Sequence, residues 1–120
     1  MIRIYGLKNC DTVKRARAWV KAEGIACEFH DFRVDGLDAT LLARWVDELG
    51  VEILLNRRGT SWRRISDRDK ENLDHDGVIR LMLSEPALIR RPVFDLGPKR
   101  LVGFDPAVQA ALKSLGSMAM

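Results

Sequence analysis

The chain has 120 residues, 47% of them apolar and 31% charged, with a net charge of +3. That is the size and balance of one ordinary globular domain with a single core, and it excludes low-complexity, collagenous and disulfide-framework chains. No apolar run approaches the ~18 residues of a helical membrane span, and the opening MIRIYGL is too short and polar for a secretory signal, so the expected location is the cytoplasm and no membrane partner is expected.

Ile2 and Ile4 alternate with Arg3 and Tyr5 as a short strand does, and Gly6 ends it. From Asp11 the period changes: Val13, Ala16 and Val20 fall at helical spacing with Trp19 beside them, and Lys14, Arg15, Arg17 and Lys21 face outward. Gly24 supplies a stop. In IACEFHDF, Ile25, Cys27 and Phe29 share one strand face, and a crossover helix between two strands makes them parallel. Asp38 is a plausible N-cap for a helix with the stripe Leu41, Leu42, Trp45, Val46 and Leu49, closed by Gly50. Beyond it come a helical turn at VEILL, an arginine-rich loop around Gly59 and a polar segment of unassigned state. A helix over DGVIRLMLSE stops at Pro86, and ALIRRPVFDLGPKRLVGF reads as an antiparallel hairpin turning at Gly97-Pro98. Asp105-Pro106 opens a last helix with Val108, Ala111, Leu112 and Leu115 on its apolar face, and 117–120 is expected to be a frayed, disordered tail.

Two cysteines without a secretory signal are expected as free thiols. Cys10 stands between the first strand and the first helix, at the carboxyl end of a strand where α/β sheets bind ligands. A helix N-terminus favours the thiolate, and Lys8, Lys14 and Arg15 add positive charge against Asp11. Cys27 lies among apolar neighbours and reads as core. Arginines cluster in NRRGTSWRR and LIRRP, which points to anions; neither segment forms a long basic helix face or alternates with aromatics, so direct nucleic-acid binding is not expected. His30 and His75 have no ligand-spaced partner, so no metal is expected; Asp74 and Asp76 read as a loop and helix cap. Trp62 is expected to pack against the insertion helix, and Gly59-Thr60-Ser61 lacks the lysine and spacing of a phosphate loop.

The segments YGLKNCDTVKRARAWV, HDFRVDGLD, LLNRRGTSWR and LIRRPVF together resemble the ArsC/Spx family, the arsenate reductase-like proteins, and most closely its YffB-type members. The resemblance implies an α/β, thioredoxin-like mixed sheet, β-α-β then β-β-α, in a single domain over 1–116 with a helical insertion at about 36–86. It implies that Cys10 is the catalytic nucleophile of a glutathione-dependent reductase acting on an oxyanion or a disulfide, with glutathione as co-substrate, glutaredoxin as a further partner and no bound cofactor. Arg91, directly before a proline, and Arg58, with Arg57 beside it, are the expected anion-binding arginines. Pro92 is expected to follow a cis peptide bond beside the thiol. Lys8, Asn9 and Thr12, which flank the thiol, complete the expected substrate- and glutathione-binding set.

The chain also departs from its relatives' patterns. Spx-type regulators carry a second cysteine three residues after the first, where this chain has Val13, so the single thiol must be resolved by an external one. Asn56 and Gly103 stand where the arsenate reductases have arginine. The alternative the resemblance implies is a non-catalytic, Spx-like regulator that binds RNA polymerase.

Overall fold

The computed structural model describes residues 2–71 and 73–118. Its elements are β1 (Ile2–Gly6), α1 (Asp11–Ala22), β2 (Cys27–Asp31), α2 (Ala39–Leu49), α3 (Val51–Leu54), α4 (Thr60–Arg63), α5 (Asp67–Glu71), α6 (His75–Ser84), β3 (Val93–Asp95), β4 (Arg100–Val102) and α7 (Pro106–Met118). A 3-10 turn covers Pro86–Leu88. The chain forms two compact units, Met1–Val34 with Arg91–Met120, and Asp35–Arg90.

In the first unit the strands lie in the order β2-β1-β3-β4. β1 pairs parallel to β2, with Ile4 opposite Phe29, and antiparallel to β3, with Ile4 opposite Phe94. β4 pairs antiparallel to β3. This is the thioredoxin-like mixed sheet expected from the resemblance. Alternation along β1 sends Ile2 and Ile4 into a core with Ala16 and Val20 of α1, Phe94, and Val108 and Leu112 of α7. Tyr5 points to the other face and is buried as well, its ring 4.9 Å from His30 and 6.1 Å from Phe32. Each aliphatic side chain so buried contributes roughly 1.5–3 kcal/mol.

In the second unit, Asp38 caps α2 by accepting the Leu41 amide at 3.2 Å, and Asp74 caps α6 by accepting the Gly77 amide at 2.7 Å. The caps orient two amphipathic helices that bury Leu42, Trp45 and Val46 from α2 and Val78, Ile79 and Met82 from α6. Leu55 bridges Ile89 antiparallel, with Asn56 N donating to Leu88 O at 2.8 Å and Arg90 N to Leu54 O at 2.7 Å, which ties Pro86–Arg90 into this unit. The arginine-rich loop and the polar segment contain the short helices α4 and α5. Neither buries a residue, so no apolar period marks them in the sequence. Trp62 of α4 is half-buried, with Lys70 Nζ 4.8 Å and Arg57 Cζ 5.7 Å from its ring centroid.

The expected tail at 117–120 is helical as far as Met118, and its last two positions lie outside the described residues. Among the described residues, no helix is long and apolar enough to cross a membrane.

Candidate active site

β1 runs into a turn over Leu7–Asn9 and delivers Cys10 to the N-cap of α1. Two features of the sequence fix that junction. Gly6 lets α1 approach the strand: a β-carbon there would lie 2.7 Å from Val13 Cγ2, and Val13 is fully buried. Cys10 then closes the turn, its amide donating to Leu7 O at 3.1 Å while its carbonyl accepts the Lys14 amide at 2.9 Å.

Burial pushes the half-buried Cys10 thiol up, but the Val13 amide, the Arg91 guanidinium through hydrogen bond and charge, and the Thr12 amide outweigh it and hold the thiol below its ordinary value. The sulfur makes no side-chain cap hydrogen bond of ordinary geometry; the same amides act on its charged form, where a serine or aspartate oxygen would cap other helices. Arg91 comes from the segment before β3 and is half-buried; the Arg91–Pro92 peptide is cis. Pro92 is buried, and its carbonyl accepts the Gly103 amide at 2.9 Å.

The structure therefore gathers Cys10, Thr12, Arg91 and Pro92 in one unit. Asn9 is exposed in the turn. Lys8 lies in the same turn, where its amide donates to Asp31 Oδ2 at 2.9 Å and its charge helps to depress the Asp31 carboxyl. Arg58 belongs to the second unit, where its amide donates to Asn56 Oδ1 at 3.0 Å; neighbouring Arg57 is paired with Glu52 at 2.9 Å.

Asp31 is the residue the sequence reading passed over. Buried at the end of β2, it accepts the Lys8 amide and, through Oδ1, the Arg33 amide at 2.8 Å and the Val34 amide at 3.1 Å. It clamps the turn that carries Cys10 to the neighbouring strand. Its Asx turn onto Arg33 and Val34 was a readable local signal; the contact with Lys8 was not.

The two departures at arginine positions also have structural reasons. Gly103 has a φ of +89°, in the region that favours glycine, and the Asn56 side chain makes the turn that leads into α4. Cys27 is free and half-buried against the core, its thiol pushed up by burial. His75 Nε2 lies 2.9 Å from Asp47, and among the described residues no group of three or more His, Cys, Asp and Glu is placed to hold a metal.

The family model of the ArsC family matches residues 5–112. The chain belongs to the ArsC family. An uncharacterized protein of Haemophilus influenzae is 40% identical over 105 residues, covering 88% of this chain and 92% of the relative. A global transcriptional regulator Spx of Streptococcus agalactiae is 27% identical over 108 residues, covering 88% and 77%. Among solved structures of this family's fold, a YffB protein superposes with a TM-score of 0.88 at 43% identity, covering 93% of this chain and 98% of its own. An arsenate reductase (ArsC) related protein from Brucella melitensis superposes with a TM-score of 0.75 at 43% identity, covering 92% of both chains.

Proposed function

We propose that the chain is a glutathione-dependent thiol oxidoreductase with Cys10 as its nucleophile, acting on mixed disulfides. The observation that carries this reading is the environment of Cys10: a helix N-cap, two amides and the Arg91 guanidinium all favour the thiolate, and the position one turn on is the buried Val13. A thiolate so placed has no local partner to form a disulfide with, so an external thiol completes the cycle.

In the first step the Cys10 thiolate attacks the glutathionyl sulfur of a mixed disulfide R–S–S–G. The substrate sulfur leaves as a thiolate and is protonated to R–SH, and Cys10–S–S–G forms. In the second step a glutathione thiolate attacks the glutathionyl sulfur, expelling the Cys10 thiolate and giving oxidised glutathione. The substrate sulfur is reduced, glutathione is oxidised, and the enzyme is unchanged. Glutaredoxin can replace glutathione as the second thiol. The cycle suits the reducing conditions of a cytoplasm.

A disulfide is favoured over an oxyanion such as arsenate because two arginine positions of the arsenate reductases are filled by residues with backbone duties, Asn56 and Gly103. A second reading, a regulator that binds RNA polymerase without catalysis, draws on the Spx relatives. Val13, in place of a second cysteine, argues against a redox switch of the paired-thiol kind.

The test is incubation with glutathione disulfide followed by peptide mass spectrometry. A single adduct on Cys10, released by glutathione, is expected, and Cys10→Ser should reduce mixed-disulfide turnover to background. No adduct on Cys10 across neutral and mildly alkaline pH, or full turnover in the serine variant, refutes the reading.

A further inference from the structure

The positive balance of the chain resides in the first unit, while Asp35–Arg90 is net acidic. Helix α1 concentrates it. Lys14, Arg17 and Lys21, all exposed, recur at i, i+3 and i+7 and so form one stripe along the helix. None of the three has a carboxylate of the described residues within ion-pair distance, although Arg3, Arg100 and Lys113 of the same unit each have one. The Arg17 guanidinium lies over the Phe29 ring instead, its Cζ 4.0 Å from the centroid.

The stripe borders a groove of about 390 Å³ between α1 and β2, the terminal strand of the sheet. Val20, Ile25 and Phe29 supply apolar wall, Arg17 and Lys21 form a cationic rim, and the one carboxylate of the lining, Glu28 on the β2 side, is already paired with Arg3 at 3.0 Å. From Lys14 to Lys21 the stripe spans about 10 Å at the ~1.5 Å rise of a helix, too long for one carboxylate. Carboxylates on alternate residues of an extended chain recur every ~6.7 Å, close to the ~6 Å rise between Arg17 and Lys21. Cys10 caps the same helix, so a chain lying along α1 reaches the thiol at its end.

We infer that this stripe and groove dock an acidic polypeptide segment, and that the disulfide substrate of Cys10 is carried by such a segment. The inference rests on the thiol oxidoreductase reading for its chemistry, but the docking has a readout of its own. A nucleic acid is the weaker occupant: the stripe is three cations long, and its neighbouring aromatic, Phe29, is covered by Arg17 and not open to a base.

Two glutathionylated peptides differing only in flanking glutamates or lysines serve as substrates, and their cysteine-free fluorescent counterparts serve as binding probes. At low salt the acidic peptide should be reduced at least about tenfold more efficiently, through KM, and the preference should collapse near ~0.5 M salt as the Debye length falls to a few ångströms. Arg17→Glu with Lys21→Glu should invert the preference and leave the reaction of Cys10 with the glutathione–mercaptoethanol disulfide unchanged. Arg17→Gln with Lys21→Gln, a milder pair, should abolish the preference, and thermal melting of both variants checks their folding. Equal binding of acidic and basic probes, or tighter binding of a single-stranded oligonucleotide than of the acidic probe, overturns the docking surface. If the acidic probe binds but Cys10 fails to react even with the small disulfide, the oxidoreductase reading fails and the docking surface stands.

Discussion

Arg91 and the α1 amides act on one thiolate, and substitution separates them. The Thr12 and Val13 amides are fixed by the helix; Arg91 supplies a full charge on a half-buried side chain. Arg91→Ala leaves burial, which opposes ionisation, against the amides alone, so the Cys10 thiol titrates at higher pH than in the parent. Arg91→Lys keeps the charge without the planar fork and should fall between. The measurement is the pH profile of alkylation by iodoacetamide. Near pH 7 the alanine variant should react more slowly by roughly three- to tenfold, the worth of one charge-assisted hydrogen bond on a partly solvated group. At high pH its rate should match or exceed the parent's, because a more basic thiolate is the better nucleophile. An unchanged profile would mean that the amides suffice. Cys27 is the internal reference, since burial pushes its thiol up and it should alkylate after Cys10.

At the scale of elements, what the sequence disclosed follows the length of its apolar patterns. β1, α1, β2, α2, α6 and the β3–β4 hairpin were legible because each buries a face with a clear period, and the caps Asp38 and Asp74 mark their helices. α4 and α5 were not, because helices that bury nothing leave no periodic trace. The site divides in the same way. Cys10 was legible as the residue between a strand and a helix, whereas Arg91 emerged only from the family resemblance, since nothing local announces a partner so distant in the chain. The Asp31 clamp was missed because half of it is tertiary. Asp31→Asn keeps one acceptor oxygen in place of two and loses the charge that three amides address, so the variant should be less stable by about 2 kcal/mol at neutral pH. Urea denaturation measures the loss, and a midpoint equal to the parent's would show that the clamp is dispensable.

Across the whole molecule, pH acts on the two units in opposite senses. In the first, burial would raise the Asp31 carboxyl, but the Lys8, Arg33 and Val34 amides and the Lys8 charge depress it. Its contribution to stability is complete above the unfolded carboxylate value of about 3.9 and is lost as pH falls through the lower folded value. In the second unit, His75 is raised by its contact with Asp47 and then with Asp76, linking α6 to α2. Its contribution is complete below the unfolded imidazole value of about 6.5 and disappears as pH rises through the higher folded value. Stability should therefore show a plateau bounded by a carboxylate of one unit and an imidazole of the other. His75→Gln isolates the alkaline edge: its thermal midpoint should lie below the parent's at about pH 5.5 and converge with it as pH rises past the raised folded value and the parent imidazole loses its proton. Asp47→Asn should reproduce most of that pH dependence, and the double variant should add little, because both remove one pair. The pair is exposed, so high salt should shrink the difference at pH 5.5. A parent–variant difference that stays constant across this range would mean that His75 links the two helices without its charge.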